Sequence, residues 1–296
     1  MCNDVATAKR VAESAWWQVM YQTFEEPSGK RRGNGSAARE STKVLLSKQQ
    51  FLDFLRLVKE PRTIAFMLSF LAKLYNSTAS GESSANIFIE HSDYWSKPFD
   101  GSALNVVYLS ECLETTLNNA MRLNPINAFW LRAYADFKYA RGQYNDAFVL
   151  YMETCVACSD CLTRLLPDNV VDDMMWVKVQ RCLREGGFIT LAAIVCQLMR
   201  DPAEHYVESA KAIVDSGGIT LDVCVAYAPL IYDLNLVEFL VDAFERLGFS
   251  RKAELFLKGI SVQETNSSNS PMSHDRWRRR ENFLRVLCAH AFQIHS

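Results

Sequence analysis

The chain has 296 residues, 49% of them hydrophobic and 22% charged, with a formal net charge of -2. That much apolar material supports a sizeable core. The near-neutral balance excludes a global field that would draw the protein to nucleic acid or to a membrane surface, and no apolar run reaches the roughly 18–20 residues that a spanning helix needs.

In chain order, the opening MCNDVATAKRVAESAWWQVMYQTF carries charges inside its apolar pattern. It predicts an amphipathic helix over 1–24 and not a secretory signal. Residues 25–41, EEPSGKRRGNGSAARES, read as a disordered linker. A helical-repeat domain is expected over 42–260, with a polar loop at 76–86. Within it, FLDFLRLVKEPRTIAFMLSFLAKLY suggests two helices meeting at Pro61, a residue suited to a first helical position. Ile64, Met67, Leu68, Leu71 and Tyr75 fall on one face of the second. ANIFIEH, 85–91, is the best strand signal. HYVESAKAIVDSGG places Tyr206, Ala210 and Ile213 on one stripe and stops at Gly217 and Gly218. A polar loop at 261–274 precedes a C-terminal helix over 275–296, which aligns Trp277, Leu284, Leu287, Cys288 and Ala291.

Three segments share a spacing. Gly142, Gly187 and Gly248 are each followed five residues later by alanine: Ala147, Ala192 and Ala253. Four residues beyond each alanine stands a residue that can pack: Tyr151, Cys196 and Leu257. Eleven residues before each glycine stand Leu131, Trp176 and Val237. This is the pattern of a tetratricopeptide helix–turn–helix, in which a small residue lets two helices approach and larger ones fill the groove between them. GQYNDAFVLY, 142–151, matches the centre of that repeat best. The glycines lie 45 and then 61 residues apart instead of 34, so the units carry insertions or extra helices. The fold class expected is all-α, an irregular tetratricopeptide-like solenoid.

TCVACSDC, 154–161, holds Cys155, Cys158 and Cys161. A zinc site needs four ligands, usually as two separated pairs, and an iron–sulfur cluster needs a fourth cysteine. Neither partner is in the run; Cys182 or Cys196 would have to complete it. At three-residue helical steps the thiols spread over a face instead of converging. Packed thiols at a helix end are the expectation, with no metal and no cofactor. The five histidines form no metal or triad pattern, and the aspartates of DNVVDD, 168–173, read as helix capping. No catalytic constellation is visible. The short basic run at Arg278, Arg279 and Arg280 is the candidate partner-binding feature. One such run does not make a nucleic-acid-binding domain, and no small-molecule substrate is implied.

The stretch from Asn124 to Asp201 resembles the C-terminal part of the Integrator complex subunit 8 family. The carrying segments are FWLRAYADFKYARGQYNDAFVLYMETCVACSD, then VKVQRCL, then AIVCQLMRD; the terminal RRRENFLRVLCAHAF is similar to that family's last helix. The resemblance implies a nuclear, non-catalytic scaffold. It implies a role in small nuclear RNA 3'-end processing and in attenuation of RNA polymerase II transcription. The partners it implies are other Integrator subunits and the protein phosphatase 2A module. Family members are much longer, so the chain reads as a C-terminal portion. The family's N-terminal aromatic motif, tied to phosphatase recruitment, is not expected here, and WWQVMYQTF is explained by an amphipathic helix. Two other readings stand beside this one. The first is a tetratricopeptide-like adaptor outside Integrator; the best unit carries Arg132 and Lys138 on its first helix but not the full carboxylate clamp of such adaptors. The second is a cysteine-based metal-binding protein.

Overall fold

The computed structural model describes Phe24 and residues 48–78, 86–90, 104–218, 227–259 and 272–294. These hold eleven α-helices and no strand. The expected helix 1–24, apart from Phe24, the linker 25–41, and most of the loop 261–274 lie outside them. The chain divides into two compact units, 1–125 and 126–296.

The first unit contains α1 (Lys48–Leu57), α2 (Pro61–Thr78) and α3 (Val106–Leu123). Pro61 opens α2, where its missing N–H costs nothing. The Glu60 carboxylate accepts from the backbone N–H and hydroxyl of Thr63, closing the first turn. Ile64, Met67, Leu68 and Leu71 are buried as their spacing predicts, while Tyr75 is half-buried. α3 packs on both α1 and α2. From α3, the Asn119 amide donates to the carbonyls of Leu55 at 3.0 Å and Val58 at 2.7 Å. It thereby satisfies carbonyls that the end of α1 leaves open. Phe24, Phe51, Phe70 and Tyr108 form the aromatic part of this core.

The strand expected in ANIFIEH does not form over its described residues, 86–90. The backbone of Ile87 pairs instead with one side chain: its N–H donates to Asn76 Oδ1 at 2.7 Å, and its carbonyl accepts from Asn76 Nδ2 at 2.9 Å. An amide has the donor and acceptor of a peptide group, so Asn76 stands where a neighbouring strand would. The α2 helix runs on through Thr78, into the stretch read as a loop.

The second unit contains α4 (Ala128–Ala140), α5 (Tyr144–Cys158), α6 (Asp173–Glu185), α7 (Ile189–Val195), α8 (Ala203–Asp215), α9 (Leu234–Arg246), α10 (Ser250–Gly259) and α11 (Met272–Ile294). From α4 to α10 each helix packs on the next in sequence, as in a helical-repeat array. Asn127, Asp172 and Asp233 cap α4, α6 and α9 through side-chain oxygens.

The turns at Gly142, Gly187 and Gly248 are built alike. Each glycine has positive φ, at 72°, 82° and 75°. Each donates its N–H three residues back, and the next residue donates five back: Gln143 to Lys138, Phe188 to Leu183, Phe249 to Phe244. Gly217 repeats the pattern, with φ 63°, its own bond to Val214 and that of Gly218 to Ile213. The 61-residue gap read from the sequence therefore holds a further turn, and Tyr206, eleven residues before Gly217, is buried like Leu131, Trp176 and Val237. Its spacing signal was hidden because Asp222, not alanine, stands five residues after Gly217.

Ala147, Ala192 and Ala253 are all buried, as are Tyr151 and Cys196. Leu257 departs from the pattern at 49% exposed. The packing role passes to Phe256, which is 1% exposed and stacks on Phe244 at 5.7 Å and 10°.

Candidate partner-binding surface

Arg132, one of the two residues considered for a surface clamp, lies in the core. It is 2% exposed, and with Asp136, Tyr151 and Lys178 it forms a buried polar network. Asp136 Oδ1 accepts from Tyr151 Oη at 2.6 Å and Lys178 Nζ at 2.7 Å; Oδ2 accepts from Arg132 Nε at 3.2 Å. The rest of the guanidinium donates to the Val170 carbonyl at 2.9 Å and Asp172 Oδ1 at 3.1 Å. Burial by itself would raise the Asp136 carboxyl pKa, but Arg132 and then Lys178 reverse the effect and hold it below its ordinary value. Burial lowers the Lys178 amine, and Asp136 opposes that loss. With 2.7 Å between them the two stand as an ion pair at neutral pH. The network ties α4, α5 and α6 together, and it reaches solvent at Asp172, whose side chain is 44% exposed. Lys138, the second clamp residue, is half-buried with its ammonium 5.3 Å from the Tyr134 ring. Neither side chain is thus free to join a carboxylate clamp.

The cysteine run separates in space. Cys155 is fully buried, Cys158 half-buried and Cys161 exposed. Burial pushes Cys155 well above the usual thiol range and Cys158 up to about 11. Among the described residues no group of three or more His, Cys, Asp or Glu side chains is placed to hold a metal, and Cys182 and Cys196 are buried in the core. Asp172 caps α6 as DNVVDD implied, at 2.8 Å from the Met175 N–H. Its second bond, to Arg132, was not readable from the run itself.

The helix ends in an unusual turn. Asp160, Cys161 and Leu162 have φ of 51°, 58° and 65°, a left-handed conformation that costs about 1–2 kcal/mol for each residue with a Cβ. The turn is held by neighbouring bonds: Ser159 accepts from Thr163 and Arg164 at its carbonyl and from Leu162 at its hydroxyl, and Cys161 donates to Val156. Leu162 is thereby turned into the core while Leu165, at 69% exposed, faces out.

α11 does not serve as a further rung beyond α10. It lies against α5 and the short turn Ala228–Leu230. Phe283, Leu284, Leu287, Cys288 and Ala291 are its buried stripe, and His290 stacks edge-on against Phe188 at 4.6 Å. The Trp277 side chain and His91, His274 and His295 lie outside what is described. Arg278 is exposed, while Arg279 and Arg280 are half-buried. Arg279 donates to the Ile231 carbonyl at 3.4 Å. Between the middle of α11 and the segment after α5 lies a hollow of about 240 Å³, lined by Leu162, Arg164, Leu166, Asp168, Arg280 and Leu284 among others. No helix among the described residues is long and apolar enough to cross a membrane.

Comparison with known proteins adds a separate line. A family described as INTS8, TPR repeats, matches residues 1–290. The chain is 26% identical to Integrator complex subunit 8 of Homo sapiens, with 97% of this chain and 29% of that protein covered. The Xenopus laevis subunit 8 is 24% identical over 95% of this chain and 28% of its own length. The chain thus spans under a third of the relatives it matches, and the match reaches back over the N-terminal residues that the sequence resemblance had left aside.

Proposed function

Because the chain belongs to the INTS8 TPR-repeat family, we propose that it is a non-catalytic scaffold subunit of a nuclear Integrator complex. The single observation that carries this reading is the family match over 1–290, which falls on a helical array. Arrays of this kind bury one set of faces against neighbours and offer the rest to partners. The partners proposed are other Integrator subunits and, through them, the protein phosphatase 2A module. The processes proposed are small nuclear RNA 3'-end processing and transcription attenuation. The chain acts by binding, and the start of α11 with Arg278, Arg279 and Arg280 is the surface proposed for it.

A tagged chain expressed in its own cells and recovered from nuclear extract tests the reading. Integrator subunits are expected at near-stoichiometric amounts, with phosphatase subunits beside them. Recovery without Integrator subunits removes the scaffold reading. Recovery of Integrator subunits without the phosphatase keeps the scaffold and removes the phosphatase link.

A further inference from the structure

The helices that lead into the four glycine turns are built to one measure. α4, α6, α8 and α9 each have 13 residues and begin 14 before their glycine, at 142, 187, 217 and 248. Residues at equal distance from the glycine therefore hold equivalent places. Ten and six places before it, α4 carries Arg132 and Asp136, both buried. The chain itself covers them there: Arg132 donates to the Val170 carbonyl and to Asp172. The same places on α8 and α9 are Val207, Lys211, Glu238 and Asp242, and all four are exposed. The face that is roofed on α4 is open on α8 and α9. These two helices pack side by side, and Tyr206 of α8 donates to Asp233 at the head of α9 at 2.9 Å. Their open faces thus run together.

The charge on this face is one-sided. From Asp201 to Glu245 the sequence holds nine carboxylates and one cation, Lys211. Glu204, Glu208, Glu238, Asp242 and Glu245 are exposed on the two helices. Asp242 is paired with Arg246 at 2.8 Å, and Glu208 stands 3.9 Å from His205. Glu204, Glu238 and Glu245 have no cation within ion-pair reach among the described residues. Cations beside these helices are engaged: Arg200 with Asp168, Lys252 with the Gly218 carbonyl at 3.3 Å, and Arg279 with the Ile231 carbonyl at 3.4 Å. The stretches 219–226 and 260–271, outside the described residues, contain Asp222 and Glu264 and no lysine or arginine. The side chains at 272–277, also outside them, add one charge of each sign, Asp275 and Arg276. α6 marks the edge, where the exposed Arg181 and Arg184 end the acidic run. Val207, at 55% exposed, and Leu234, at 45%, stand among the carboxylates. Such a face repels nucleic acid and attracts a cationic partner.

We propose that the joined open faces of α8 and α9 bind a short basic segment of a partner protein. Its lysines and arginines meet Glu204, Glu238 and Glu245, and its aliphatic side chains rest on Val207 and Leu234. This rests on the scaffold reading and names the chemistry of one partner contact. Complementary charge speeds encounter and sets register, while the apolar anchors slow release.

The test is fluorescence anisotropy with the purified full chain and short labelled peptides. In these, two leucines stand three or four positions apart among lysines and arginines. Expected is saturable binding that weakens as salt rises. Glu204→Lys with Glu238→Lys weakens it about tenfold, and Val207→Ser about threefold. Lys211→Glu removes the one opposing charge and tightens binding about threefold. Glu111→Lys with Glu254→Lys makes the same change in net charge on α3 and α10 and leaves binding unchanged. If the Glu204 and Glu238 reversals melt early, Glu204→Gln with Glu238→Gln gives a smaller loss in the same direction. The proposal is overturned if none of these peptides binds, or if peptides with glutamate in place of the basic residues bind as well. Equal binding by peptides with serine in place of the leucines also overturns it, because charge alone then explains the contact. So do unchanged binding by the face variants, a loss with Lys211→Glu, or an equal loss with the Glu111 and Glu254 pair. The nuclear recovery experiment separates the two claims. Integrator subunits recovered with no peptide bound leaves the scaffold and removes this site; peptide bound with no Integrator subunit recovered does the reverse.

Discussion

Asp136 and Lys178 meet at 2.7 Å in the core of the second unit, 42 residues apart in the chain and each almost fully buried. The contact joins α4 to α6 across the face that also receives Tyr151 from α5. Taking two charges out of water is costly, and the pair is tolerable because the Asp136 carboxylate also accepts from Tyr151 and Arg132.

Asp136→Asn leaves Arg132 and Lys178 buried beside a neutral amide. The expected cost is about 3–5 kcal/mol, read as a lower urea midpoint with an unchanged slope. A change below about 1 kcal/mol would mean that water reaches the network.

The same carboxylate shapes the acid limb of stability. Its folded pKa is depressed, by Arg132 and Lys178 against the opposing effect of burial. A depressed carboxylate contributes fully above its unfolded value, about 3.9, and the contribution disappears as pH falls through the folded pKa. Melting temperature against pH should therefore fall steeply below about pH 4 in the wild type. The Asp136→Asn curve should lack that component of the fall; parallel curves would locate the acid sensitivity elsewhere.

Ala147 is fully buried, on α5 where it packs with α4. Ala147→Leu should overpack that contact and cost about 1–3 kcal/mol. An unchanged thermal midpoint would show that the turn at Gly142 has been given the wrong register.

Phe256→Ala and Leu257→Ser separate the two candidate packing residues of α10. The first empties a site stacked on Phe244 and should cost about 3–5 kcal/mol. The second touches an exposed side chain and should stay within about 0.5 kcal/mol. The opposite order would restore the register read from the sequence.

Removing α11 whole, as a deletion from Pro271 onward, would uncover the face of α5 as well as remove a binding surface. A point change is cleaner. Leu287→Ala should cost about 2–5 kcal/mol, whereas Arg278→Ala, at an exposed position, should be near neutral in a melt.

Local rules were legible where a residue acts on its own neighbours. Pro61, the glycine turns at 142, 187 and 248, the capping Asp172 and the small Ala147 all express constraints that span a few residues. Residues that answer to distant partners were not. Arg132 looks like a surface cation in sequence because nothing nearby announces Val170, Asp172 and Asp136 waiting around it. Leu257 carries the right spacing, but which side chain packs depends on the rotation of α10 over α9, and a one-residue change of face moves the role to Phe256. The candidate surface was half visible: the arginines of α11 are a sequence feature, while the hollow exists only because α11 meets a segment more than a hundred residues earlier.

The return of α11 to α5 also sets a schedule. More than a hundred residues separate Cys158 from Met272, and a ribosome delivers them at about 5–20 residues per second. The face of α5 that α11 covers is therefore made about 5–20 s before its cover emerges. For that interval Phe148 and its neighbours must wait without the partner they will keep. A nascent chain stalled before Met272 should present an apolar surface that the released chain has lost, which makes α11 the helix that closes the second unit.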